Sequence, residues 1–144
     1  MHQSRKETLT KLINFSDDLD LIRKDLEKFE WDSEEDLVTI TSDSMKNIFK
    51  RVKSQEISLE HLQKWGDLVE CREDIAYEEK SFQIIKEIIT NLANPALYGK
   101  CNIEKINNWL NLLVLKKIKY TKFLFFSLLN NSRFPICSHK SKRL

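Results

Sequence analysis

Apolar residues recur along this chain at intervals of three and four, and no well-patterned segment shows strict alternation. Leu9, Leu12 and Ile13 make a short first stripe. Ser16 then reads as a cap for an element carrying Leu19, Ile22, Leu26 and Phe29. Ser42 suits the start of a helix with Met45, Ile48, Phe49 and Val52, and Ser58 the start of one with Leu59, Leu62 and Trp65. The clearest stripe is Phe82, Ile85, Ile88, Ile89 and Leu92. It stops before Asn94-Pro95, because the residue preceding a proline avoids the helical region. Asn102 opens a last element with Ile103, Ile106, Leu110 and Leu113. One stretch, WDSEEDLVTIT, fits less well. Ser33 followed by Glu34, Glu35 and Asp36 suits a helix N-terminus, where acids meet the positive end of the dipole. LVTIT is β-branched and suits a short extended piece, but is read here as a helix or turn. The predicted fold class is all-α, a compact bundle of five to seven short helices.

Composition agrees with that pattern. At 144 residues the chain can bury one real core, and two glycines and two prolines leave little material for a sheet of hairpins. A charged content of 32% beside 41% hydrophobic residues suits a folded helical domain, not a disordered chain. The first residues lack the apolar run and cleavage site of a secretion signal, and the longest apolar runs in the C-terminal part, 112–115 and 123–126, are far short of the roughly 20 residues that span a bilayer. A cytoplasmic location is expected. Cys71, Cys101 and Cys137 are odd in number and widely spaced, against both a disulfide framework and a zinc finger.

Charge divides the chain in two. Residues 1–110 hold 22 Asp and Glu against 16 Lys and Arg, a net charge of −6, whereas residues 111–144 hold 8 Lys and Arg and no acid. The division expected is a helical domain over 1–113 and a basic C-terminal extension over 114–144. Three readings stay open for that extension: a basic amphipathic segment for a membrane surface or nucleic acid, an ordinary last helix, or a stretch not native to the domain. Its Lys, Ile, Phe, Leu, Asn and Tyr are what AT-rich DNA yields when read past a stop or out of frame.

Residues 65–79, WGDLVECREDIAYEE, carry the densest chemistry. Wound at about 100° per residue, Trp65, Leu68, Val69, Arg72, Ile75 and Ala76 share one face. Asp67, Glu70, Asp74 and Glu78 fall on the other. That predicts a helix with a buried face and an acidic ridge, and Arg72 at the edge of the apolar face, either paired to a carboxylate or covering apolar surface with its stem. Such a ridge suits a docking surface for a basic partner, and it is equally the ordinary solvated face of a helix. A metal site is not expected, since bundles that hold paired metals add a Glu-x-x-His pair, which is absent here. Catalysis finds no glycine-rich phosphate loop, nucleophile elbow or kinase signature. Cys71 beside Arg72 is no activated thiolate, because helical neighbours diverge by about 100°. No cofactor and no enzyme activity are expected.

The run WGDLVECREDI, followed after a helix by NLANP, resembles a group of small bacterial helical proteins with a tryptophan, a Glu-x-Arg-Glu-Asp-Ile motif and an Ala-Asn-Pro helix stop. Some proteins of this kind look like immunity proteins of polymorphic or contact-dependent toxin systems. The resemblance covers about residues 8–113 and rests on Trp65, Glu70, Arg72, Glu73, Asp74, Ile75, Ala93, Asn94 and Pro95. It implies core roles for Trp65 and Ile75 and a helix end at 93–95. Glu70, Arg72, Glu73 and Asp74 either brace the bundle or present a surface. Gly66 costs about 1 kcal/mol relative to Ala in a helix, which close helix packing would explain. The function expected is a non-enzymatic immunity protein that blocks a basic toxin domain, a nuclease being one such. It would do so through Asp67, Glu70, Asp74 and Glu78, with Glu34, Glu35 and Asp36 as a second patch, and without binding nucleic acid itself. The alternative is a regulatory or adaptor protein that holds another partner in a hydrophobic groove.

Overall fold

The computed structural model describes residues 4–30 and 32–115, so the extension 116–144 and the three readings of it lie outside the described residues. Helices dominate, as the 3.6-residue period requires: α1 (Arg5–Asn14), α2 (Leu19–Leu26), α3 (Ser42–Lys53), α4 (Leu59–Glu70), α5 (Phe82–Ala93), α6 (Pro95–Tyr98) and α7 (Ile103–Val114). Two short strands, β1 (Val38–Ile40) and β2 (Ile75–Tyr77), and a 3-10 turn at Glu79–Ser81 complete the described chain.

The two strands correct the sequence reading. LVTIT is not helical; its alternation places Val38 and Ile40 in the core and Thr39 outside. β1 pairs with β2 in parallel, Val38 opposite Ile75, Thr39 opposite Ala76 and Ile40 opposite Tyr77. A parallel pair needs a crossover, and α3 and α4 supply it. The expected helix over 65–79 therefore ends at Glu70, with Cys71 as its C-cap. Only its first half is amphipathic helix; beyond it, Ile75-Ala76-Tyr77 is β-branched and aromatic and finds a strand to pair with.

Caps follow the same logic. Ser58 and Asn102 accept backbone N–H groups from His61 and Lys105, as their positions suggested. The cap of α2 is Asp18 and that of α3 is Thr41, in place of Ser16 and Ser42. Ser4 caps α1 in a reciprocal box with Glu7.

One core unites the elements. Trp65 is fully buried, and its Nε1 donates to the Leu12 carbonyl at 2.7 Å, which joins α4 to α1. Phe49 and Trp109 stack with ring centroids 5.8 Å apart, joining α3 to α7. Arg51 of α3 closes the end of α1 by donating to the carbonyls of Asn14 and Phe15 at 3.0 and 2.9 Å. Phe15 itself adopts the left-handed conformation, with φ of 49°.

The tightest interface lies between α4 and α5. A β-carbon built on Gly66 would stand 2.5 Å from the Leu92 β-carbon, so the backbones meet where no side chain fits. Replacing Gly66 with Ala should therefore destabilise the protein by about 1–3 kcal/mol, despite the better helix former, because overpacking outweighs propensity. Urea unfolding read from tryptophan fluorescence measures it; an unchanged or higher midpoint would contradict the close-packing account.

Candidate functional site

The acids assigned to one ridge separate into four environments. Asp67 is exposed on α4. Glu70, on the last turn of α4, accepts from Asn94 Nδ2 at 3.0 Å. Asn94 also donates to the Thr90 carbonyl at 2.8 Å, so the Asn-Pro stop of α5 is tied back to α4. Glu78 accepts the backbone N–H of Ser42 at 3.1 Å, at the N-terminus of α3, where its charge meets the positive end of the helix dipole. Asp74 is completely buried. The continuous ridge does not exist, because α4 has ended before Asp74 and the chain then turns that carboxylate inward.

Asp74 is instead the centre of an ion cluster. Arg72 Nε and Nη2 donate to its two oxygens at 2.9 and 2.7 Å, a bidentate pair between residues two apart. On a helix those side chains would diverge, so the pair requires the non-helical turn observed. Arg5, from the first turn of α1, donates from Nε to Asp74 Oδ2 at 2.8 Å and places Nη2 2.7 Å from the same oxygen. Glu73, also buried, lies beside them in sequence. Of the two alternatives for Arg72, the structure shows pairing to a carboxylate, and in the interior rather than at an edge. Of the resemblance residues, Trp65 and Ile75 are in the core, and Pro95 is the first residue of α6.

The second acidic patch is the exposed one. Glu34, Glu35 and Asp36 stand on the surface, with exposed Asp32 before them. They do not open a helix. Ser33 closes a local turn instead, its Oγ donating to the Glu35 carbonyl at 2.7 Å and accepting the Glu35 N–H at 3.2 Å. Both shoulders of this segment are fastened at one residue. Arg5 Nη2 reaches the carbonyls of Glu30 at 2.7 Å and Asp32 at 3.3 Å while Arg5 holds the Asp74 side chain. On the far side, the N–H of Leu37 donates to the Asp74 carbonyl at 2.8 Å.

Arg5 carried no signal in the sequence. Its partner lies 69 positions away, and an arginine near a chain end looks like any surface cation. β2 was hidden by the helical period that Ile75 and Ala76 happen to share with Trp65.

Other titratable groups give little chemistry. Burial pushes the Cys101 thiol up to about 11, against the opposing pull of Lys105, so it stays protonated and unreactive. Burial raises the Tyr98 hydroxyl too, with Glu70 and Glu87 adding to the shift. Among the described residues, no group of three or more His, Cys, Asp and Glu side chains is placed to hold a metal ion, and no helix is long and apolar enough to cross a membrane. Comparison with family models, curated proteins and solved structures finds no match to this chain.

Two expectations follow from these carboxyls. Asp74→Asn should cost about 3–5 kcal/mol, the usual effect of removing one partner of a buried pair, since two guanidinium groups then share no carboxylate. Urea unfolding tests it, and a loss below about 1 kcal/mol would show the cluster to be solvent-compensated. Glu87 behaves in the opposite sense. Burial raises its pKa above the ordinary 4.5, so the folded state binds its proton more tightly than the unfolded chain does. That contribution is complete below pH 4.5 and is lost as pH rises through the raised folded value. Glu87→Gln should therefore raise stability at pH 7 relative to the parent, with the gain shrinking toward pH 4. Thermal unfolding at both values reads the difference, and a loss at pH 7 would contradict it.

Proposed function

We propose that this protein is a non-enzymatic immunity protein that binds a basic toxin domain in the cytoplasm of a bacterium and blocks it. The observation that carries the reading is the segment 32–36, whose acids stand outside the bundle while its backbone is held by Arg5 at its entry and by the carbonyl of the buried Asp74 at its exit. A surface loop of concentrated negative charge costs stability through self-repulsion, and a cationic partner relieves that cost. The resemblance carried by Trp65, the Glu70–Ile75 motif and Ala93–Pro95 points the same way.

A toxin that acts on nucleic acid needs a positively charged groove for phosphate. An acidic loop set in such a groove competes with the substrate directly. Glu34, Glu35 and Asp36 are the principal contacts in this reading, with Asp67 as a separate exposed charge on α4. Asp74 acts from within, and Glu70 and Glu78 act chiefly as ties between elements.

The partner sought is the C-terminal domain of a large secreted protein encoded immediately upstream. Reversing Glu34 and Glu35 to Lys should slow association with that domain by about tenfold or more and flatten its dependence on ionic strength, because steering by charge governs the on-rate. Stopped-flow binding between low and physiological salt measures both. An unchanged rate would remove the segment from the interface, and a stronger loss on truncating exposed apolar side chains such as Leu97 would favour the adaptor alternative.

A further inference from the structure

We propose that the outer face of α7 is a docking surface for this chain's own basic extension, whose apolar run FLFFSLL at 123–129 lies along it. The inference is independent of the toxin reading and draws on none of the acidic positions assigned there.

A helix that packs one side on a bundle ordinarily carries charge on the other. α7 does not. From Ile106 to Leu115 there is no charged residue, in a chain that is 32% charged. Ile106, Trp109 and Leu113 form the buried side, where Trp109 stacks on Phe49 of α3. At about 100° per residue, Ile103, Asn107, Leu110 and Val114 fall on a second stripe that points away from that side. Ile103 is 43% and Val114 65% exposed, Leu110 is half-buried, and Asn107, Asn108 and Asn111 are exposed but uncharged. Single apolar residues on a surface are ordinary. Their distribution here is not. Among the described residues, four of the six large apolar side chains that stand exposed, Leu97, Ile103, Val114 and Leu115, lie within 97–115.

Where the described chain ends selects the occupant. Residues 116–144 leave from the last turn of this same helix, so the tether holds them near the stripe at a high effective concentration. Their length suffices. α7 is about 18 Å long at 1.5 Å per residue, and a return path along it takes about twelve residues as helix or about six in extended form. Their composition fits as well. The run at 123–129 supplies apolar side chains, with Lys116, Lys117, Lys119 and Lys122 before it and Arg133 after it. Residues 1–110 carry a net charge of −6 and the extension carries no acid, so long-range attraction draws the two together.

Cross-linking on the full chain is the first test. With Asn107 replaced by benzoylphenylalanine, irradiation should join position 107 to a peptide from 116–144 of the same chain. Mixing chains of light and heavy isotopes distinguishes that product from a join between copies. A second full-length variant, with Phe123, Leu124, Phe125 and Phe126 all changed to Ser, keeps the tether and the charge. Its cross-link yield should fall about tenfold, since the apolar contact is gone. Thermal unfolding is the second test, using Ile103→Gln together with Val114→Gln. Gln is the better helix former of the residues exchanged, so an uncovered stripe would be unchanged or gain. A covered one should lose about 2 °C or more in its midpoint. In the four-serine background the same pair should cost nothing further, because the two changes break one contact.

A cross-link within one chain that the serine variant loses, together with a fall in midpoint that is not additive, supports the proposal. A cross-link between copies overturns it and makes the stripe a surface for self-association. No cross-link to 116–144 overturns it too, as does one of equal yield in the serine variant, because the extension would then be tethered without docking. An unchanged midpoint for the glutamine pair also overturns it, since nothing would then cover Ile103 and Val114.

Discussion

A carboxylate with no exposed surface, gripped by two arginines, organises the part of this protein that faces outward. Asp74 could not be buried alone, since an uncompensated charge in the interior costs several kcal/mol. Arg72 and Arg5 offset that cost from opposite directions, one from the adjacent turn and one from the first helix. Each requirement propagates. Arg72 can grip a residue two positions away only if the chain leaves the helix after Glu70, and Arg5 can reach only if α1 packs across the sheet. The exit from α4, the strand that follows and the fastening of the segment 32–36 are consequences of satisfying one buried charge.

The bundle around that centre is built by more ordinary means. Trp65 contributes both apolar area and a hydrogen bond to the Leu12 carbonyl, so its polar edge is met inside the core. The meeting of α4 and α5 at Gly66 trades helix propensity for close contact with Leu92. Asn94 then locks the far end of the same pair, joining the end of α5 to Glu70. Such ties concentrate at α4, which is contacted by the first helix, by α5 and, through Glu70, by the turn into α6.

Helices with a clean apolar stripe were legible in the sequence, because burial on one face leaves a period that needs no knowledge of the partner. The stops at Glu70 and at 37–41 were not legible. Ile75 and Ala76 fall by chance on the same angular face as Trp65, and the information that separates them from a helix lies in Val38 and Ile40, in another part of the chain. Pairing between distant segments leaves no local period. The same limit applied to charge. Asp74 and Glu78 looked alike as acids on a wheel, yet one is buried among guanidinium groups and the other accepts the first N–H of α3, beside its Thr41 cap. Glu34, Glu35 and Asp36 were found as an exposed patch from their sequence, since three consecutive acids leave the chain few ways to bury them. Arg5 was found only by structure.

The parallel pairing of β1 with β2 also imposes an order of assembly. Residues 38–40 and 75–77 cannot meet through a tight turn; the two intervening helices must first compact and bring the ends into register. A pairing that closes so long a loop is expected to follow compaction of the helices, and the acidic segment leading into β1 to take its shape with it. The Arg5 fork and the Leu37 N–H both end at Asp74, so a chain that stops short of that residue lacks the anchor of its acidic segment, even though Arg51 and Trp65 already hold α1.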